Sequence, residues 1–166
     1  FSGGDVLRIY DCNTGAKTSE FVLALPYTSV VCMEFVLEDN YLMLYTQEGQ
    51  IIICNSGTGE IVYRKQNFPR SYYVTPQLYE DRMNHRVYIV VCADESGYHG
   101  TCLDSQTWIE LAEISGMIAY DERNNTLYRC IGDSEEDDMQ IVAYQIPGRQ
   151  ELIEQARAFL RGTHSF

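Results

Sequence analysis

A short turn motif recurs along the 166-residue chain. Thr14-Gly15 follows the run RIYDCN, and Thr58-Gly59 follows IICNSG 44 residues later. A third turn, Thr107-Trp108 after CLDSQ, stands 49 residues further on, and a degenerate fourth, Pro147-Gly148 in YQIPGR, stands 40 residues beyond that. Repetition at a nearly fixed period constrains the fold more than any other feature, because each copy must form the same structural unit.

The runs between the turns have the length and composition of β-strands. Each period contains four such runs, separated by turn residues such as Glu38-Asp39-Asn40. A period of about forty to fifty residues with four strands is typical of a β-propeller blade, which must stack on neighbours because one sheet cannot bury both faces alone. We predict an all-β fold: a partial β-propeller of about three four-stranded antiparallel blades plus a leftover strand, with a short C-terminal α-helix.

The turns also suggest where each blade begins. We predict the tail of a preceding blade in residues 1–15, blades in 16–59, 60–107 and 108–148, and the C-terminal helix and tail in 149–166. Known propellers close with about four to eight blades, so three blades and a tail do not close alone. Either a longer chain completes the ring, or copies associate as a homo-oligomer through open blade edges. The chain begins with Phe1 rather than Met, and we predict that it is a fragment of a larger protein.

The periodicity changes after the last predicted strand. In PGRQELIEQARAFLRG, apolar residues recur at helical spacing, namely Leu152, Ile153, Ala156, Phe159 and Leu160. Pro147-Gly148 ends the preceding strand, and Gly162 suits the end of a helix. We predict that this helix packs on the last blade or on the edge of the ring.

Charge and cysteine usage bear on partners and location. Twelve Lys and Arg stand against 24 Asp and Glu, a formal net charge of -12, which repels nucleic-acid phosphates. No run of about 18 apolar residues is present to span a membrane. The six cysteines lie far apart without a CxxC pair, and several stand in apolar strand-like runs. We predict reduced thiols in a cytoplasmic protein that binds neither nucleic acid nor membrane.

The turn units resemble a known group of folds. RIYDCNTGAKTSEF, IIICNSGTGEIVY and CLDSQTWIEL are similar to the strand, Asp-x-x-Thr-Gly turn and strand of quinoprotein-like and WD-repeat β-propellers, although there is no Trp-Asp or Gly-His pair. The last blade with its ELIEQARAFL helix is similar to C-termini of bacterial multidomain signalling proteins. We expect Asp11, Asn55 and Asp104 to accept hydrogen bonds from turn N–H groups, while Gly15 and Gly59 adopt positive φ.

Quinoprotein enzymes of the related fold bind a quinone and a calcium ion on the ring axis, and this sequence departs from both signatures. The adjacent cysteine pair of those enzymes is absent. The acidic run GDSEEDDM has contiguous acids instead of ligands at alternate positions. His85, His99 and His164 are scattered, and no G-x-S-x-G elbow is present. We predict no catalytic residue, no metal ligand and no cofactor.

Tyrosine is abundant, with 13 residues, and it suits both strands and protein interfaces. We predict that Tyr27, Phe68 and Tyr98, which stand near loops, line the ring face where partners bind. The predicted function is a noncatalytic protein-interaction or sensing module, a scaffold whose partner is another protein or its own effector domain. The alternative is part of an enzyme or periplasmic ligand-binding propeller whose pocket is completed by missing blades.

Overall fold

A computed structural model describes residues 5–23, 30–66, 76–93, 97–132, 139–148, 150–151, 153–154 and 157. Within them the chain forms thirteen β-strands, and each overlaps one of the predicted β-rich runs. Their bounds are β1 Asp5–Tyr10, β2 Lys17–Leu23, β3 Val30–Val36, β4 Tyr41–Thr46, β5 Ile51–Asn55, β6 Ile61–Lys65, β7 Gln77–Asp81, β8 Arg86–Ala93, β9 Gly97–Asp104, β10 Glu110–Ser115, β11 Met117–Asp121, β12 Thr126–Ile131 and β13 Gln140–Gln145.

The strands form four antiparallel sheets within the described residues. Sheet I pairs β1 with β2, sheet II has the order β3-β4-β5-β6, sheet III the order β7-β8-β9-β10, and sheet IV the order β11-β12-β13. Within each sheet, every strand pairs with the next one in sequence, so each sheet is a meander whose strands need only short connections. The predicted all-β class is confirmed, and sheets II and III have the predicted four strands.

The sheets begin and end at positions that differ from the predicted blade boundaries. β5 pairs with β6 across the turn at Thr58-Gly59, and β9 pairs with β10 across the turn at Thr107-Trp108. These turns lie inside a sheet, because a tight turn joins two strands that hydrogen-bond to each other. The sheets span 5–23, 30–65, 77–115 and 117–145, so the predicted boundaries after residues 15, 59 and 107 fall within sheets.

The sheets stack face to face, and alternation along the middle strands decides which neighbouring sheet each residue meets. In β4, Met43 belongs to an apolar cluster shared with sheet III, whereas Leu44 belongs to one shared with sheet I. In β8, Ile89 packs toward sheet II and Tyr88 toward sheet IV. Successive side chains of a strand point to opposite faces. Strands buried on both faces therefore appear as continuous apolar runs such as YLMLY, IIIC and VYIVV.

The turn between the third and fourth strands is built in the same way in sheets II and III, and the turn of sheet I repeats it. A side-chain oxygen of the first turn residue accepts hydrogen bonds, at 2.7–3.0 Å, from the N–H groups two and three residues on. The backbone N–H of that residue donates across the turn at 2.8–2.9 Å. The residues are those predicted: Asp11, Asn55 and Asp104. Hydrogen bonds from Thr14 and Asn13 lower the pKa of Asp11.

The fifth residue of each turn has a left-handed backbone. Gly15 and Gly59 have φ of 68° and 75°, as predicted, and Trp108 has φ of 58° at the same position. A side chain in this conformation costs about 1–2 kcal/mol. Burial offsets that cost, because Trp108 is 6% exposed and packs edge-to-face on Tyr41 of sheet II with ring centroids 4.8 Å apart.

The sequence predicts a helix in the segment after β13. Gln150, Glu151, Ile153, Glu154 and Arg157 are in helical conformation. The remaining residues of the predicted helix lie outside the described residues, so its extent and packing stay predictions. No helix in the described part of the chain has the length and apolar character needed to cross a membrane.

Two turn glycines form a matched pair for a test of packing between sheets I and II. A Cβ on Gly59 would lie 2.5 Å from Cδ2 of Phe21, whereas a Cβ on Gly15 would meet nothing within 4 Å. We expect Gly15→Ala to lower the free energy of unfolding by about 1 kcal/mol through backbone strain alone. Gly59→Ala should lower it by about 2–4 kcal/mol, because overpacking adds to the strain. Urea denaturation measures both, and equal losses would show that the contact with Phe21 has no energetic weight.

The turn acceptor gives a second test. Asp104→Ala leaves the N–H groups of Gln106 and Thr107 without their acceptor and should lower the free energy of unfolding by about 1–2 kcal/mol. Asp104→Asn keeps an acceptor oxygen, as Asn55 does in sheet II, and should cost less than about 0.5 kcal/mol. Thermal and urea unfolding compare the two variants. A loss as large with asparagine as with alanine would mean that the negative charge, and not the acceptor, holds the turn.

Candidate functional site

An open groove of about 320 Å³ runs across the first strands of sheets II, III and IV. The first strand forms the same edge in each of these sheets. Stacking of the sheets therefore places three first strands side by side. We call it the first-strand groove. Its lining residues come from β3, β7, β11 and the turns that follow β7 and β11, namely Glu34, Phe35, Leu78, Tyr79, Glu80, Arg82, Tyr120 and Glu122.

Two glutamates tie adjacent sheets together beside the groove. The N–H of Leu37, the first residue after β3, donates to Oε1 of Glu80 in sheet III at 2.6 Å. Arg82 is the first residue after β7, and Glu122 is the first residue after β11 of sheet IV. The N–H of Arg82 donates to Oε1 of Glu122 at 3.3 Å. Both bonds give a turn amide an acceptor that the turn itself does not supply. These two carboxylates therefore hold successive sheets in register.

Arg82 reinforces the first of these ties. Its Nε donates to Oε2 of Glu80 at 2.9 Å, and its Nη1 donates to Oε1 of Glu38 at 3.1 Å. Glu80 is 17% exposed, whereas Arg82 and Glu38 are more than half exposed. Of the two carboxylates, Glu80 is the less solvated, and Arg82 neutralises it. Arg82 also links the turn 37–40 to the turn 82–85.

Glu34 is the acidic residue of the groove without such a structural role. Within the described part of the chain its carboxylate makes no hydrogen bond and no ion pair. Desolvation in the groove and the negative charge of Glu80 raise the pKa of Glu34. A carboxylate whose charged form is disfavoured in this way gains the most when a cation arrives beside it.

Two tyrosines, Tyr79 and Tyr120, add aromatic surface to the groove beside Phe35 and Leu78. The hydroxyl of Tyr120 donates to Oδ1 of Asn125 at 2.7 Å, and its ring packs on Tyr88 with centroids 4.6 Å apart. Burial raises the pKa of both Tyr79 and Tyr120, and the charge of Asp81 raises that of Tyr120 further. Both phenols therefore stay neutral at physiological pH. They offer a groove ligand apolar surface and polar tips, without further negative charge.

The predicted interaction face lies elsewhere. Tyr98 is 38% exposed at the start of β9, at the opposite end of sheet III from Arg82. Tyr27 and Phe68 lie outside the described residues, so the grouping of the three stays a prediction. The sequence does not predict the groove, although acidic residues stand at or near the ends of three successive first strands. That pattern becomes visible only once the first strand of each sheet is known.

The described residues contain no cluster of three histidine, cysteine or acidic side chains arranged to hold a metal ion. His85 lies in the turn after β7 and His99 lies in β9, and neither lines the groove. All six cysteines are free. The groove instead combines carboxylates, one guanidinium and aromatic rings, which suits recognition of a charged and partly apolar segment.

Comparison with solved structures places the fold. BamB from Moraxella catarrhalis matches with a TM-score of 0.53 and 15% identity over 87% of this chain and 41% of that chain. The WD40 domain of Toxoplasma gondii coronin matches with a TM-score of 0.53 and 12% identity over 86% of this chain and 37% of that one. Quinohemoprotein alcohol dehydrogenase from Comamonas testosteroni matches with a TM-score of 0.53 and 15% identity over 86% of this chain and 31% of that one.

At these identities the likeness shows the fold alone. The chain folds as part of a β-propeller, which confirms the predicted resemblance at the level of architecture. It spans less than half the length of each of these solved structures. No protein-family model matches the chain, and no curated protein sequence matches it.

Glu34 gives a test of the electrostatics of the groove. The pKa of Glu34 is higher in the folded than in the unfolded chain. The ionised carboxylate therefore lowers the free energy of unfolding at pH values above the folded pKa, and this loss disappears as the pH falls through that pKa. We expect Glu34→Gln to raise the free energy of unfolding at pH 7 by about 0.5 kcal/mol, a small value because solvent screens the charge. The gain should vanish below the ordinary pKa of a glutamate. The exposed Glu60→Gln serves as the control, and an equal gain there would point to a general effect of net charge.

Proposed function

We propose that this chain is a noncatalytic protein-interaction module, a piece of a larger propeller, and that the first-strand groove binds a basic segment of its protein partner. One observation carries the proposal. The carboxylate of Glu34 is unpaired within the described residues, in an open groove where Glu80 and Glu122 already bind backbone amides. The fold uses the other two glutamates, and it leaves this one for a ligand.

The charge of the groove supports a basic ligand. Glu34, Glu80 and Glu122 face one guanidinium, that of Arg82, and the chain as a whole carries a formal charge of -12. A field of this sign attracts a cationic segment before contact. In the groove, a Lys or Arg side chain would form a charge-assisted hydrogen bond with Glu34. Contact with the face of Tyr79 or Tyr120 would add about 0.5–1 kcal/mol.

The partner is a protein segment, either of a separate molecule or of an effector domain in the same polypeptide. Both would present the same basic chemistry to the groove. The alcohol dehydrogenase among the similar structures is a likeness of fold, and fold alone transfers no reaction. The enzymatic alternative, like the association of copies through open edges, therefore stays a prediction.

A defined peptide tests the proposal directly. A fluorescein-labelled heptapeptide of alternating arginine and leucine is titrated with the chain, and binding is followed by anisotropy at low salt. We expect Glu34→Gln to weaken binding about three- to tenfold, because one charge-assisted hydrogen bond is lost. Glu60→Gln, an exposed turn residue away from the groove, should leave the affinity unchanged. Both variants remove one negative charge, so the pair separates a local contact from general attraction.

Two further measurements complete the experiment. A peptide with glutamate in place of arginine should not bind, and raising the salt concentration should weaken the arginine peptide, because screening shortens the reach of the charges. Equal binding by the Glu34→Gln and Glu60→Gln variants would overturn the assignment of the groove. Equal binding of the two peptides would overturn the basic character of the ligand.

A further inference from the structure

The first-strand groove already contains a guanidinium, that of Arg82. Its Nε donates to Oε2 of Glu80 at 2.9 Å, and its Nη1 donates to Oε1 of Glu38 at 3.1 Å. Hydrogen bonding to Glu80 is the largest of the effects that raise the pKa of Arg82. The chain's own arginine therefore makes with Glu80 the kind of contact that a basic ligand of the groove would make.

The position that Arg82 occupies is the one that attracts a cation most strongly. Val36 in β3 and Leu78 in β7 belong to the core between sheets II and III. Side chains two residues apart on a strand share a face, so Glu34 and Glu80 face each other across the same gap. A cation between these two carboxylates is attracted by both, whereas the like charge of Arg82 repels it. A basic ligand that uses both glutamates therefore gains most when the side chain of Arg82 moves aside.

The side chain of Arg82 can move without loss of the contact between sheets III and IV. Its backbone N–H donates to Oε1 of Glu122, so the turn stays joined to sheet IV wherever the guanidinium lies. Arg82 and Glu38 are both more than half exposed, and an ion pair between groups this exposed contributes little to stability. Glu80 is the less solvated partner, and such a carboxylate is costly without a cation beside it. A basic ligand would supply that cation in exchange for Arg82.

We propose that Arg82 is an internal competitor of the ligand, an autoinhibitory contact that a basic side chain of the partner segment displaces. This inference rests on the proposed function of the first-strand groove. On binding, the partner's cation takes the place of Arg82 on Oε2 of Glu80 and reaches Glu34 as well, while the guanidinium of Arg82 turns to solvent. The charge of Glu80 stays paired throughout. The contact therefore raises the affinity that a segment needs to enter the groove, without destabilising the empty fold.

Two matched variants test the competition. Arg82→Gln and Arg64→Gln each remove one positive charge, but Arg64 is exposed on β6 and does not line the groove. The fluorescein-labelled heptapeptide of alternating arginine and leucine is titrated with both variants at low salt. We expect Arg82→Gln to bind it about three- to tenfold more tightly than Arg64→Gln, because the competing guanidinium is absent only from the former. Equal affinities overturn the inference.

The unsubstituted chain gives a second readout that does not depend on how well a variant folds. The Nε–H group of Arg82 gives an NMR signal, which is identified by its absence from the Arg82→Gln spectrum. Its hydrogen bond to Glu80 slows exchange of this proton with water in the free chain. On saturation with the arginine peptide we expect exchange to become about threefold faster or more, because the group turns to solvent. An unchanged exchange rate with the peptide bound overturns the inference.

The failure of this inference can be told apart from the failure of the proposed function. If the peptide binds neither the unsubstituted chain nor the variants, or binds equally to Glu34→Gln and Glu60→Gln, both proposals are overturned. If binding depends on Glu34 but either test of Arg82 is negative, only the competition is wrong, and the groove still binds a basic segment.

Discussion

The structure depends on strands whose two faces are both buried. β4, β5 and β8 each contribute alternate residues to two inter-sheet clusters, so Met43 faces one neighbouring sheet while Leu44 faces the other. A fully buried aliphatic side chain contributes about 1.5–3 kcal/mol, against about 1 kcal/mol for a typical hydrogen bond. The clusters therefore outweigh the turns. They also fix the first strands next to them, and so the width of the groove.

The repeated turn tolerates change because the clusters dominate. Asn55 replaces aspartate without loss of the two amide contacts, and Trp108 replaces glycine despite its positive φ. In the second case the indole fills space between sheets II and III, where it contacts Tyr41. A repeat of this kind keeps its backbone geometry while its residues diverge. This accounts for a periodicity that is plain in spacing and weak in residue identity.

The sequence predicts the strands better than it predicts their grouping. All thirteen strands coincide with β-rich runs, because two-sided burial demands uninterrupted apolar residues such as Ile51, Ile52 and Ile53. The grouping differs because the conspicuous turns predict boundaries between sheets, whereas backbone pairing runs across two of them. The groove escaped prediction for a related reason. Glu34 and Glu80 lie 46 residues apart, and only the stacking of first strands brings them within electrostatic reach.

The sequence pattern also does not determine which apolar and aromatic side chains are buried. The aromatic ring of Tyr98 near a loop predicts a position on the interaction face, and the structure leaves Tyr98 partly exposed at the end of sheet III away from Arg82. Met33 and Phe35 belong to an apolar run that predicts a core strand, yet they are exposed, because sheet I supplies only two strands among the described residues. Exposure at these positions is a property of the neighbouring sheet, and no local pattern within β3 encodes it.

β3 differs in chemistry from the first strand of the next sheet. Phe35 holds the place in β3 that Glu80 holds in β7, next to the last residue of each first strand. Glu80 accepts the N–H of Leu37 from the preceding sheet, whereas a phenylalanine has no acceptor to offer a preceding turn. The face of β3 that carries Phe35 is therefore apolar at a position where β7 makes an ionic contact. Glu34, the adjacent residue, points to the opposite face from Phe35, toward Glu80 of sheet III, whose negative charge raises the pKa of Glu34.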